Sequence, residues 1–300
     1  MGIIYRRYKL LSDYAKVFEF LTENYNSETL NAYLLPQFYE HAHSSPKFNY
    51  RLTPRFGLWE ENDDLVGIAC YEMNVGECFI CTKKGYEKLQ QEMIFYSEEF
   101  LSVKIEGKNY LSIWVAEKET AKKEILENMG YKMIDISPVR IFPYEKTFPH
   151  GFLPKDFSII SLNDEDFPKK VHSCLWKGFD RGPNVEDDPK SVYNTDGRIL
   201  MQNGPTFRKD LTTIIKAPDG EYACYAGMRI DDKNHYAYLE PLATIPEYRG
   251  MGLASIAITE AMKKTKLLGA KYCFGGSGKF YINYGFEVLT NIEIWKKEWS

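Results

Sequence analysis

IPEYRGMGLASIAITEAM, residues 245–262, sets an arginine and two glycines in front of a run with helical spacing. A helix leaves its first amides without internal partners, and glycine lets a backbone approach a ligand closely. A turn holding Arg249, Gly250 and Gly252 that opens a helix therefore suits a pyrophosphate. The same spacing also serves a tight turn that needs glycine only for its geometry. Two familiar phosphate loops do not fit. RGMGLA has GxG without the third glycine of a dinucleotide fingerprint. GGSGKF puts Cys273 where a Walker A loop needs its first glycine, and Phe280 where Ser or Thr should follow the lysine.

Working outward, HYAYLEPLAT (235–244) reads as the strand before this turn and GAKYCFGGS (269–277) as the strand after the helix. KFYINY is a short helix, and GFEVLTNIEIWKKEW closes the chain as a strand region. Upstream, FSIISL is a strand, DEDFPKKVHSCLWKGF a helix, and LTTIIKAPDGEYACYAGMRI a hairpin turned at Pro218–Gly220. The N-terminal part follows a similar order: strand IIYRRYKL, helix DYAKVFEFLTENY, a hairpin in FGLWEENDDLVGIACYEM, then helix YEKLQQEMIFYSEEFLS. Strand YLSIWVAE follows, and then a helix that stops near Gly130 before another strand. YEKTFPHGFLPKD (144–156) has no period and reads as a linker. Both halves end in helix, Gly-aromatic, strand: ENMGYKMI at 127–134 and INYGFEVL at 282–289. This predicts an internal duplication of one α+β unit.

Three hundred residues accommodate two domains, each large enough for its own core. A net charge of -4 without a basic stripe argues against a nucleic-acid partner. No secretory h-region and no membrane-length apolar run is present, and Arg6 breaks a myristoylation pattern, so the expected location is cytoplasmic. Cys78 and Cys81 form a CxxC with no second pair to complete a tetrahedral site, and no metal is expected.

The chain resembles the GCN5-related N-acetyltransferase (GNAT) family. The family signature [R/Q]-x-x-G-x-[G/A] is matched by Arg249, Gly250, Met251, Gly252, Leu253 and Ala254, and FYINYGF follows at the family's distance and order. The resemblance is densest over 220–290, extends over 157–300 and is thin over 1–140. It implies two GNAT-like domains, each a central mixed, mostly antiparallel sheet flanked by helices. The expected boundaries are a degenerate copy at 1–145, a linker at 146–156 and a catalytic domain at 157–300. It implies acetyl-CoA as co-substrate, pantetheine pairing with the backbone of Leu242, Ala243 and Thr244, and pyrophosphate on the amides of 250–254. Tyr281 takes the position from which relatives protonate the leaving thiolate.

Direct transfer also needs a base, because an alkylamine is mostly protonated at neutral pH. Glu240 is the candidate, on the strand leading to the pantetheine site; a water chain is the alternative. Several relatives keep their glutamate two residues earlier, here Tyr238, which period-two alternation puts on the same face. In the N-terminal half, MNVGECFICTKKGYEKLQ stands where the loop should be, with Gly76 and Gly85 far apart and no arginine lead. That copy is expected to be non-catalytic and to roof the acceptor cleft. The acceptor is expected to be a primary amine of a small molecule or peptide. Trp176, Phe179, Asp180 and Asn184 are candidates for its pocket, and Asp180, Glu186, Asp187 and Asp188 would favour a cation. The alternative function is a non-catalytic acyl-CoA-binding sensor or structural module.

Overall fold

The structure, a computed structural model, describes residues 2–182 and 194–300. It divides into two units: Met1–His43 with Lys47–Val139 and Val288–Ser300, and Ser44–Pro46 with Arg140–Glu287. The division differs from the sequence-based boundaries. It falls at Val139 within a strand, not in the proline-rich stretch 146–156, and the last thirteen residues belong to the first unit. The reason is backbone pairing, which composition does not reveal.

The first unit contains β1 (Ile4–Arg7), α1 (Leu10–Glu23), α2 (Leu30–Tyr33), α3 (Pro36–Ser44), β2 (Gly57–Glu61), β3 (Asp64–Cys70) and β4 (Glu77–Thr82). It continues with α4 (Gln90–Phe100), β5 (Val103–Ile105), β6 (Lys108–Ala116), α5 (Thr120–Asn128) and most of β7 (Lys132–Pro143). In the second unit come β8 (Ser158–Ile160), α6 (Pro168–Gly178), α7 (Thr195–Met201), β9 (Thr213–Lys216), β10 (Tyr222–Asp231) and β11 (Tyr236–Thr244). It ends with α8 (Leu253–Leu267), β12 (Tyr272–Gly275) and α9 (Lys279–Tyr284); β13 (Glu287–Trp299) closes the chain.

The first sheet runs β1-β2-β3-β4-β6-β13, with β5 beside β6. Its β2–β3 turn is made by Asn62 and Asp63 at φ 52° and 69°, the left-handed pair a two-residue hairpin requires. α1 turns Val17, Phe20 and Leu21 inward at helical spacing. β13 pairs antiparallel with β6 from Ile292↔Ala116 to Trp299↔Asn109. β4 and β6 are parallel and pair only at Glu77↔Ser112 and Cys78↔Ile113.

The second sheet runs from the end of β7 through β12-β11-β10-β9-β8. Every residue of β10 is buried, because α6 and α8 both pack on it. β11 and β12 are parallel and pair at only three positions, Tyr236↔Tyr272, Ala237↔Cys273 and Tyr238↔Phe274. Each unit is thus a mixed, mostly antiparallel sheet flanked by helices, as expected. Sequence reading missed α2, α3 and α7, all short; α7 is held by Asn194, whose side chain accepts from the Gly197 amide at 2.8 Å.

The pairing of β10 with β11 shifts register between Ala226 and Met228, leaving Gly227 opposite Glu240 and Pro241. A Cβ at Gly227 would lie 2.5 Å from the Glu240 carbonyl oxygen. Gly227→Ala should therefore cost about 2 kcal/mol, as overpacking against backbone does, and lower the thermal midpoint by several degrees. A midpoint unchanged in a thermal melt would contradict this reading of the bulge.

Candidate functional site

The loop read first from the sequence leaves β11 and opens α8. Gly250 and Gly252 have φ 81° and 78°, a left-handed region that favours glycine. A Cβ on either would meet nothing within 4 Å, so the space above the loop is open. Gly252 is the N-cap of α8, and no side chain caps the helix there. The first-turn amides therefore remain for a ligand, and the N-terminal end of a fifteen-residue helix favours negative charge. Leu253, Ile256, Ala257 and Met262 bury the other face of α8, fixing that end in place.

A cavity of about 310 Å³ runs from Thr244 over Gly250 and Gly252 to Leu253, Ala254 and Phe280. Arg249 and Ser255 also line it. Of the cofactor candidates, Leu242 and Ala243 lie on the strand just before it, and Met251 is exposed. Arg249 also anchors the loop. Its Nε donates to the Thr244 carbonyl at 3.1 Å, and Nη2 to the Gly178 carbonyl and to Asp180 Oδ1, both at 2.9 Å. Gly178 allows this approach, since a Cβ there would sit 2.7 Å from the Ala243 Cβ. Sequence reading missed Ser255 and Phe280 as lining residues. Their only signals were a place in the first turn of α8 and a place beside Tyr281.

Glu240 lies two residues past the last β11–β12 pair, half-buried where the strands part. Burial pushes its carboxyl up to about 7, against the pull of Arg229 and a hydrogen bond from Tyr238. Arg229 faces Tyr238 across the β10–β11 ladder. Tyr281, third residue of α9, is pushed up to about 12, first by burial and then by the negative charge of Glu240. The two catalytic candidates thus share one electrostatic environment, and the Tyr238 hydroxyl reaches Glu240 on the same face of the strand.

Of the acceptor candidates, Phe179 is exposed and Trp176 is half-buried, its ring 5.7 Å from that of His172. Asp180 is engaged by Arg249. Asn184, Glu186, Asp187 and Asp188 lie outside the described residues. Among the described residues no group of histidine, cysteine and carboxylate side chains has the arrangement to hold a metal, and no helix is long and apolar enough to cross a membrane.

The first unit has a comparable fork with different contents. Ile80 lies two residues past the last β4–β6 pair, as Glu240 does past β11–β12, and Lys122 is the third residue of α5, as Tyr281 is of α9. Lys122 is 1% exposed. Its ammonium donates to the Ile80 carbonyl at 3.1 Å and to Glu119 Oε1 at 2.6 Å. A cavity of about 520 Å³ borders this pair, and the connection from β4 to α4 has one left-handed glycine, Gly85.

The raised carboxyl of Glu240 has a consequence for stability. Between about pH 4.5 and pH 7 the native state holds a proton there that the unfolded chain has released, so stability falls as pH rises through this window. Glu240→Gln removes that loss. The variant should be more stable than wild type by roughly 3 kcal/mol at pH 8, with the gain shrinking toward zero at pH 4. Urea melts at the two pH values measure it; a gain independent of pH would contradict the assigned shift.

Residues 175–277 match the model of the Acetyltransferase (GNAT) family. Along the whole chain the fold is similar to that of a tandem GNAT protein from the clavulanic acid biosynthesis pathway, at 11% identity and TM-score 0.61, covering 99% of this chain and 98% of that one. A GCN5-related N-acetyltransferase from Sphaerobacter thermophilus gives 11% identity and TM-score 0.60, covering 99% and 95%. A GNAT-family acetyltransferase from Colwellia psychrerythraea gives 14% identity and TM-score 0.59, covering 99% and 100%. No curated protein sequence matches. The stretch that carries the glycine loop thus lies within the match to the GNAT family model, in a chain whose fold is similar from end to end to that of a tandem GNAT protein.

Proposed function

We propose that the chain transfers the acetyl group of acetyl-CoA directly to a primary amine of a small acceptor, at the site in its second unit. The observation that carries this reading is the coupling of Glu240 and Tyr281 where β11 parts from β12, beside the open glycine loop. The residues present fit the nucleotide. Uncapped amides of α8 face open space for the pyrophosphate, and from Leu239 to Thr244 the β11 edge turned from β10 has no strand partner among the described residues. Leu242, Ala243 and Thr244 would present backbone groups to the pantetheine amides, and Gly250 to Ala254 would hold the phosphates. Arg249 keeps the loop in place.

Acetyl-CoA supplies the activated acyl group. Glu240, ionised above about pH 7, takes a proton from the acceptor ammonium so that the neutral amine can attack. Tyr281, held protonated to about pH 12, gives its proton to the departing sulfur. A backbone amide of β11 would polarise the carbonyl. Among the described residues the first unit has no equivalent pair: Lys122 takes the corresponding position, and we assign that unit no turnover.

The test is thiol release from acetyl-CoA with kanamycin, spermidine, L-lysine and a tetrapeptide bearing a free N-terminus. At least one amine should give turnover that rises through about pH 7 to a plateau. Glu240→Gln should lose that limb, and both it and Tyr281→Phe should lower kcat roughly 100-fold or more with acetyl-CoA binding intact. Full activity in Glu240→Gln would move the base elsewhere, to a water chain. Binding without turnover by any amine would favour the sensor reading.

A further inference from the structure

We propose that Gly276 is a positioning residue for Tyr281: the bare backbone at Gly275–Gly276 seats the phenol ring and sets where its hydroxyl stands. The proposal rests on the reading of Tyr281 as proton donor.

Gly275 ends β12 and Gly276 follows it. Neither has a left-handed φ, so their backbone conformation does not require glycine. What requires it is the ring above them. A Cβ at Gly276 would lie 2.5 Å from Tyr281 Cε2 and 3.0 Å from Cζ, the carbon that bears the hydroxyl. At Gly275 it would lie 2.9 Å from Tyr281 Cδ1 and 2.4 Å from Phe286 Cε1.

The ring cannot easily move away. Phe286 meets it edge-on at 5.3 Å and 88°, and Phe280 at 5.4 Å and 81°. Its backbone is tied at both ends. The Tyr281 amide donates to the Gly278 carbonyl at 3.0 Å, and its carbonyl accepts from Gly285 at 3.2 Å and Phe286 at 3.0 Å. A methyl on Gly276 must therefore tilt the hydroxyl end of the ring by about 1 Å, a misplacement that can cost roughly 100-fold in rate. Two residues along, Gly278 offers a matched control. Its φ is −65°, and a Cβ there meets nothing within 4 Å.

The experiment is a double-mutant cycle, read with the best acceptor of the amine panel. Gly276→Ala should lower kcat roughly 100-fold with KM for acetyl-CoA within about three-fold, and Gly278→Ala should match wild type. In a Tyr281→Phe background, Gly276→Ala should cost less than about three-fold more, because the hydroxyl it displaces is gone. Should Gly276→Ala fail to fold, Phe286→Leu loosens the ring without adding atoms, and its loss of kcat should likewise vanish in Tyr281→Phe. Equal losses with and without the hydroxyl, or equal losses at Gly276 and Gly278, would overturn the positioning role. If Tyr281→Phe alone leaves kcat unchanged, the donor assignment itself fails, and the positioning role with it.

Discussion

A parallel strand pair that stops after two or three positions leaves backbone groups on both strands in need of partners. The site depends on how that need is met. In the second unit β11 continues for six residues past its last pair with β12, toward a loop whose glycines keep the space above it clear. In the first unit the comparable fork receives the Lys122 ammonium, which takes the Ile80 carbonyl and is balanced by Glu119. A buried ammonium is costly to desolvate, so it persists only with such partners. One fold thus carries two solutions to the same constraint: a lysine ammonium takes the strand carbonyl in one fork, and in the other the strand edge has no strand partner among the described residues.

The chemistry grows from the same geometry. Parting strands create a half-buried recess, and a recess raises the proton affinity of any carboxyl placed in it. Glu240 sits there at some cost to stability, with Arg229 and Tyr238 limiting that cost. Burial first, and then the charge of Glu240, raise the proton affinity of Tyr281. A carboxyl that ionises near neutrality and a phenol that does not are thus set by one neighbourhood, which is what the proposed proton-transfer pair needs. Arg249 joins the loop to Thr244 and to the end of α6 by three contacts. As an exposed pair, its salt bridge with Asp180 adds only about 0–1 kcal/mol, so the two carbonyl contacts do most of the anchoring.

Much of this was legible in the sequence because it rests on local signals. Gly250 and Gly252 announce left-handed turns, and alternation in YAYLEPLAT puts Tyr238 and Glu240 on one face. The helix Leu253–Leu267 reads from spacing alone. What depends on long-range pairing was not legible. Nothing in GFEVLTNIEIWKKEW marks it as a strand of the first unit, since its partner β6 lies some 180 residues earlier. The role of Lys122 was equally hidden, because a lysine in KKEILEN looks like any solvated helix residue until Ile80 is seen beside it. The division of β7 carries no local signal either.

Isothermal titration of acetyl-CoA into the full chain, beside Gly252→Trp, bears most directly on the claim that one fork is open and the other filled. The account predicts one acetyl-CoA per chain, lost in a Gly252→Trp protein that keeps its thermal melt. Two sites per chain, or binding that survives Gly252→Trp, would contradict it.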